Sequence, residues 1–542
     1  MLAQFRFNSL SLLIGASYPL AFSPFSDYHF LFSLFIFIAI AFYFYLILNA
    51  DNVKKLFIQS WFFGFGLFAV GVSWVFVAVK EYGHTPWFLA MILTAIFLAF
   101  LAVFFALQAV LSYKLIYAIK AKISLSQNWL IDLAQISILP IIWLLFEWIR
   151  SWLLTGFPWL YAGYSQTETA LFNYAPIVGI YGVGFIVSFI SAVIAYQYLS
   201  KQMFLFNKIW VVPILLVVIA IYLERLDWTK KQGNPINISM IQGNISQHDR
   251  WRDDFLRNIL MDYQRLSEPY WGKTDMIIWP ENAVPTFYHY LEDSLYSDIQ
   301  EQVNNTGTIF ITGLPFQNIE TQEYYNSLLR ISSAPKTIAH KSMDPKIYES
   351  KAFYYKQHLV PFGEYLPLDF LLRGLINFFN LPMSNFSVSK VIAQPLKIGG
   401  YQVAISLCYE DSFPDLSLQQ LPEANYLLNL SNNGWYGDSF APHQHLQISR
   451  FRAMEVGREL ARSTTSGVSA FINHKGQIRQ QTQQFIATVL NGKVQPRIGA
   501  TPYVKFPIIN NLGLIIMILL SSALLLLKKT TRATSQPTKA HI

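Results

Sequence analysis

The chain has 542 residues, of which 53% are hydrophobic, 16% aromatic and only 13% charged, about half the charged share of an ordinary soluble domain. A single cysteine, Cys408, excludes an internal disulfide and any zinc site that needs two thiolates. The net charge of +8 suggests nucleic acid only until the charges are located along the chain.

Long charge-free runs cover residues 7–26, 28–50, 56–79, 82–113, 133–146, 169–200, 209–223 and 506–527. A membrane-spanning helix needs roughly 20 mostly apolar residues, and most of these runs reach that length. The runs at 133–146 and 209–223 are short and need flanking residues or a thin bilayer. Eight helices are expected, forming a membrane bundle over 1–224 (helices 1–7) with an eighth at 506–528. The first run is not read as a cleavable signal peptide. It carries one basic residue, Arg6, is interrupted at Pro24, and further spans follow it.

Loop charges set the orientation. With the N-terminus inside, the inner segments and the basic end from Lys528 onward hold 12 Lys/Arg, whereas the short outer loops hold only Lys80 and Arg150. Positive charge stays cytoplasmic, so both termini are expected inside and residues 225–505 outside. That segment is near neutral, with 26 Lys/Arg against 25 Asp/Glu, which argues against a nucleic-acid platform.

Residues 225–505 change character. Short β-rich runs at 236–245, 276–279, 308–314, 324–332, 401–407, 425–430 and 467–473 are separated by helical patterns at 253–266, 291–303 and 443–461. The last pattern reads as a half-buried helix, with Leu446, Phe451, Met454 and Leu460 against Arg450, Arg452, Glu455 and Arg458. Strands alternating with helices predict a layered α/β domain.

Three strand ends carry chemistry. The apolar run Met276–Trp279 is stopped by Pro280 and delivers Glu281, which is either a solvated loop acid or a general base. Lys356 stands among aromatics in Tyr354-Tyr355-Lys356-Gln357-His358, either as a surface lysine or as a cation for an oxyanion. The run Ala404–Leu407 leads into Cys408, either a small buried hydrophobe or a nucleophile, and Glu410 and Asp411 follow at once.

Together Glu281, Lys356 and Cys408 supply a base, a cation and a thiol. In that order the chain resembles the nitrilase superfamily, whose Glu, Lys and Cys act on an αββα sandwich. With membrane helices on both sides it is similar to the apolipoprotein N-acyltransferase family. Further resemblances are Ala21-Phe22-Ser23-Pro24, Gly156-Phe157-Pro158-Trp159, Gly163-Tyr164-Ser165-Gln166, Gln242-Gly243-Asn244-Ile245 and Trp251. Two more are the loop Ser431-Asn432-Asn433-Gly434-Trp435-Tyr436-Gly437-Asp438-Ser439 and the stretch from Gly457-Arg458 to Arg462-Ser463-Thr464. One departure is Asn433, where an aspartate is expected.

The resemblance implies a two-step acyl transfer in the bacterial inner membrane, with an extracytoplasmic (periplasmic) catalytic domain. Glu281 would deprotonate Cys408, which would take an acyl chain from the sn-1 position of a phosphatidylethanolamine-like phospholipid. The thioester would then pass that chain to the α-amine of a diacylated apolipoprotein. Lys356 and the Tyr409 N–H would hold the oxyanion, and Glu364, Tyr409 and Glu410 would support the site. Trp251 and Trp435 would contact lipid or act as a lid, and residues 157–164 and 378–386 would keep water out. No metal or dissociable cofactor is required. Two other readings stay open: a membrane-tethered amidase or nitrilase with the same three residues, and a transporter or scaffold with a sensing outer domain.

Overall fold

The computed structural model describes residues 2–83, 85–121, 128–200, 208–333, 351–365 and 385–507. The expected eighth helix and basic tail fall outside these residues, apart from the first positions of the helix. The chain divides into two compact units, one of residues 1–73, 92–226 and 507–542, the other of residues 74–91 and 227–506.

The first unit is helical. Among the described residues, the helical stretches Phe30–Leu48, Val53–Gly71, Trp87–Lys120 and Ala170–Ser200 are long and apolar enough to cross a membrane, and Lys208–Leu223 is a shorter apolar one. The run expected to be short at 133–146 lies in a 23-residue helix, Asn128–Arg150, with Pro140 inside it. Charge-free length underestimates this helix because Asp132, Glu147 and Arg150 fall within its outer turns. The first helix, by contrast, ends at Ser17 and continues as a 3-10 turn over Tyr18–Ala21. Trp143 anchors an aromatic core, meeting Tyr43, Phe44 and Phe105 edge-on at 5.6–5.9 Å.

The second unit is built on two six-stranded sheets. Its strands are β1 Ile236–Gln242, β2 Met276–Ile278, β3 Ile309–Gln317, β4 Tyr324–Ile331, β5 Lys351–Tyr355, β6 Leu396–Ile398, β7 Tyr401–Leu407, β8 Tyr426–Ser431, β9 Leu460–Thr464, β10 Ala470–Ile472, β11 Ile478–Gln481 and β12 Thr488–Val494. One sheet runs β12-β1-β2-β3-β4-β5 and the other β11-β10-β9-β8-β7-β6. The inner faces meet through Ile238, Met240, Ile278 and Ile311 from the first sheet and Val403, Ile405, Leu428 and Leu430 from the second.

Helices cover the outer faces. Ile259 and Ile299, on helices Asp253–Ser267 and Leu295–Thr306, pack with Ile277 and Phe310 of the first sheet. Leu446 and Ala453, on helix Ala441–Val456, pack with Ala404 and Leu427 of the second. The layers are therefore α-β-β-α: a layered α/β domain, as the alternation predicts, in the sandwich order that the resemblance implies.

Two expectations for this unit change. The helix expected to run to residue 461 stops at Val456, because Gly457 takes a left-handed φ of 62° and caps it. Leu460 then begins β9 in place of completing the helix. Nor is the helix half-buried: its charged residues find partners inside, with Arg452 Nη1 2.5 Å from Glu455 Oε2 and Arg450 Nε donating to the Gly476 carbonyl at 2.9 Å.

The segment Trp74–Met91, made of the end of one expected run (74–79), the outer loop at Lys80 and the start of the next run (82–91), belongs to the sandwich unit. Trp74 Nε1 donates to Gln444 Oε1 at 3.1 Å, and its ring meets Tyr436 edge-on at 4.7 Å. Tyr82, in the π-helical turn Ala78–Tyr82, donates its hydroxyl to the Gly434 carbonyl at 2.8 Å and packs against Trp435. Charge-free length counted these aromatics as span, whereas their polar ends are used by hydrogen bonds.

Candidate active site

Three strand ends converge. β2 stops at Ile278, and Trp279, buried with Nε1 on Ser267 Oγ at 2.7 Å, locks the chain before the turn at Pro280. Gly313 in β3 permits that turn: a Cβ there would lie 2.6 Å from the Glu281 Cα. β5 delivers Lys356 one residue beyond Tyr355, and the Lys356 N–H is held by the Asn326 carbonyl of β4 at 2.9 Å. β7 ends at Leu407, and Cys408 follows with a left-handed φ of 50°, unfavourable for a residue bearing a Cβ.

Glu281 and Lys356 form a buried ion pair. Lys356 Nζ lies 3.1 Å from Glu281 Oε1 and 2.8 Å from Glu364 Oε1, with the lysine 1% and Glu281 3% exposed. Asn326 Nδ2 donates to the same two oxygens at 2.8 and 2.6 Å. Glu281 Oε2 accepts the Asn432 N–H at 2.8 Å, and Glu364 Oε2 that of Val360 at 2.8 Å. One cation thus joins two carboxylates in a site from which water is largely excluded.

Electrostatics follow from that count. Burial pulls the Lys356 ammonium down, but Glu281 and Glu364 outweigh it and hold its pKa well above the ordinary lysine range. Cys408 is raised by burial first and by the Glu281 charge second, against the opposing pull of Lys356 and the Asn432 N–H. The balance favours the neutral thiol, within the field of Glu281 and Lys356 and beside the Asn432 N–H.

Glu410 and Tyr409 take distinct places. Glu410 is fully buried: Oε2 accepts the Leu407 N–H at 2.7 Å and the Tyr354 hydroxyl at 3.0 Å, while Oε1 accepts the N–H groups of Gln357 and of His358, the latter at 3.1 Å. It thereby ties the lysine-bearing segment to the cysteine turn. Burial pushes its carboxyl up to about 7. Tyr409 packs its ring edge-on against Phe413 at 5.0 Å.

The two tryptophans lie near the site's supports. Trp435 sits in the turn Asn433–Tyr436, beside Tyr82. Trp251 follows Arg250, whose Nη1 donates to the carbonyls of Glu281 and Asn282 at 3.2 and 3.1 Å. Of the aromatic segments expected to exclude water, Trp159, Leu160, Tyr161 and Tyr164 are buried in the helical unit. The other, at 378–386, lies outside the described residues up to position 384.

Sequence reasoning missed Asn326, Asn432 and Tyr436. Asn326 interrupts an apolar strand, which was a usable signal. Asn432 acts through its backbone, where no side-chain pattern could reveal it. Burial raises the Tyr436 hydroxyl above the usual phenol range, and the charges of Lys356, Glu364 and Glu281 also reach it.

A buried thiol beside a carboxylate base and an ammonium can attack a carbonyl and stabilise the resulting oxyanion. Residues 14–193 match the family model of the apolipoprotein N-acyltransferase N-terminal domain, and residues 237–503 that of carbon-nitrogen hydrolase. The apolipoprotein N-acyltransferase of Methylococcus capsulatus is 34% identical over 91% of this chain and 91% of its own. That of Vibrio parahaemolyticus is 34% identical over 91% and 92%. Among solved structures, a carbon-nitrogen hydrolase superfamily protein of Xanthomonas campestris aligns over 52% of this chain and 97% of its own, with 17% identity and a TM-score of 0.35.

Proposed function

Because the chain belongs to the apolipoprotein N-acyltransferase family, we propose that Cys408 carries a fatty acyl chain as a thioester from phospholipid to the α-amine of a lipoprotein. Family membership makes the chain an acyltransferase of lipoprotein maturation. The proposal concerns which residues do the chemistry and where. One observation carries it: the chain's single thiol is buried where the charges of the Glu281–Lys356 ion pair both act on it.

In the first half-reaction Glu281 takes the thiol proton as sulfur attacks the sn-1 ester carbonyl of a phosphatidylethanolamine-like donor. The resting thiol is protonated, so proton removal accompanies attack. Lys356 and the Tyr409 N–H receive the oxyanion, the C–O bond breaks, and Glu281 returns the proton to the departing lysophospholipid oxygen. In the second half the neutral α-amine of a diacylglyceryl-cysteine attacks the thioester, Glu281 accepts a proton from nitrogen, and sulfur leaves. The proton then passes to sulfur, which restores the thiol. Glu364 positions Lys356, and Glu410 positions the cysteine turn. Trp251 and Trp435 are assigned to lipid contact.

The placement proposed is eight helices in a bacterial inner membrane, termini cytoplasmic and the sandwich periplasmic. The loop charge asymmetry and the lipid nature of both substrates support it. Each buried acyl CH₂ contributes about 0.8 kcal/mol to staying in the bilayer, so an enzyme embedded beside its substrates avoids extracting them.

Incubation of the purified full-length chain with phospholipid labelled in its sn-1 acyl group tests the reading. The label should appear on Cys408, be released by hydroxylamine, and move to a diacylglyceryl peptide. Absence of label on the wild-type chain, or label retained by Cys408→Ala, would sink it. Release to water alone, with no transfer to the peptide amine, would instead mark a hydrolase.

A further inference from the structure

A second buried polar cluster holds the backbone of Cys408. His445 Nε2, from helix Ala441–Val456, lies 3.1 Å from the Cys408 carbonyl oxygen and 2.7 Å from Asp411 Oδ1. Its Nδ1 lies 3.1 Å from Asn433 Nδ2. Arg462 of β9 donates through Nη2 to Asn433 Oδ1 at 3.2 Å, and through Nη1 to Asp411 Oδ2 at 3.2 Å and Asn429 Oδ1 at 2.6 Å. Ser449, one turn along the helix from His445, donates to Asp411 Oδ2 and accepts from Arg462 Nη1 at 2.9 Å. Asp411, Asn433, His445, Ser449 and Arg462 are all 2% exposed or less.

Donor and acceptor counting fixes the Asn433 amide and the His445 ring proton. A guanidinium only donates, so the Asn433 oxygen must face Arg462 and its NH₂ must face His445. An NH₂ group donates, so His445 Nδ1 must be the bare acceptor nitrogen. The ring proton therefore sits on Nε2, where both neighbours, the Asp411 carboxylate and the Cys408 carbonyl, are acceptors.

We propose that His445 is a positioning residue of the acyl-transfer centre, fixed by Asn433 as the neutral Nε2–H tautomer that holds the Cys408 carbonyl and so aims the thiol. The left-handed backbone at Cys408 needs such a restraint, because the turn must be held in a conformation that a Cβ disfavours. The same ring grips the Asn432–Asn433 turn, whose N–H contacts Glu281 Oε2, so one side chain sets nucleophile and base against each other. An aspartate at 433 would present an acceptor to Nδ1. His445 would then take a second proton, and its donor to Cys408 would depend on pH. The groups facing the ring are Asp411 and Cys408 from the turn, Arg462 from β9, Asn433 from its own turn and Ser449 from the helix. Burial and Arg462 lower the imidazole, outweighing Asp411, which raises it. The Asn433 donor at Nδ1 and the lowered imidazole both favour the neutral ring.

The inference rests on Cys408 being the acyl carrier, but its test needs no lipid. The sole cysteine of the full-length chain in detergent is alkylated with iodoacetamide, and the rate is read by intact mass from about pH 6 to 9. His445→Leu should slow alkylation by about tenfold, and His445→Gln, whose amide N–H can reach the same carbonyl, should recover most of that loss. Asn433→Asp should add a step in the imidazole range that the wild-type profile lacks. A His445→Leu rate equal to wild type, or a His445→Gln rate as low as that of the leucine variant, overturns the positioning role. Superimposable Asn433→Asp and wild-type profiles overturn the tautomer assignment, and this comparison stands even if the leucine variant does not fold. A chain that alkylates as expected yet takes no acyl group from phospholipid overturns the acyl-carrier reading and leaves this one intact.

Discussion

Cys408 is held by two buried charged clusters of opposite design. On the Glu281 side, one lysine is shared by two carboxylates, Glu281 and Glu364, so the cluster carries surplus negative charge. On the His445 side, Arg462 balances Asp411, and the remaining members are neutral amides, a hydroxyl and a neutral ring. Buried charge is costly unless paired, and only the cluster facing the sulfur leaves the account uneven. Burial first and the Glu281 charge second favour the neutral thiol, whereas the even cluster serves to hold backbone. Imbalance marks where chemistry is expected, and balance marks where shape is.

Substitutions can break or sharpen that contrast. The largest effect on rate is expected from Glu281→Gln, which keeps the shape but removes the base. Thioester formation on Cys408 should fall by about 10²–10⁴-fold, while stability falls by only about 1–3 kcal/mol, because the new amide NH₂ faces a donor. Arg462→Met should do the reverse, leaving Asp411 buried without its cation at a cost of about 3–5 kcal/mol, seen as a lowered midpoint. If the two variants shift rate and stability alike, the division of labour is wrong.

Glu410 lies between the two clusters and should show an intermediate effect. Glu410→Gln turns an acceptor of four donors into a group that donates, costing about 1–3 kcal/mol. Its pH dependence has a definite sign. The folded carboxyl, pushed up to about 7, binds its proton more tightly than an unfolded glutamate at about 4.3, so folding takes up a proton between those values. The contribution of Glu410 to stability is therefore complete in acid and is lost as pH rises toward 7. The stability gap between wild type and Glu410→Gln should narrow over that interval in denaturant titrations. The smallest effect is expected from Tyr82→Phe, which removes one part-buried bond to Gly434 and about 1 kcal/mol.

The sequence made the chemical side chains far more legible than their supports. Glu281 and Cys408 stand where apolar strands visibly end, and Lys356 stands among aromatics, so local pattern made each a candidate and left its role open. The short strand β5 was not anticipated, because Lys351–Tyr355 has neither length nor alternation. His445, Arg462 and Asn433 were not picked out as site residues, since each owes its role to partners 29 to 51 residues away or to the cysteine turn. The charged face of the 441–456 helix read as solvated for the same reason. Polar residues signal a surface unless their long-range partners are known, and β9 was lost to a helical pattern that Gly457 interrupts.

The Trp74–Met91 segment has a consequence for the order of synthesis. Tyr82 and Gly434 are 352 residues apart in the chain, and Trp74 and Gln444 are 370 apart. The segment therefore leaves the ribosome long before the turn and helix that it joins, and its aromatic rings must wait for those partners through the making of the later helices and strands β1–β8. Closure over such distances costs only slowly more with length, so the delay is kinetic. A fragment beginning at residue 227 would never complete this closure, and would fold, if at all, with the supports of Gly434 and Tyr436 missing.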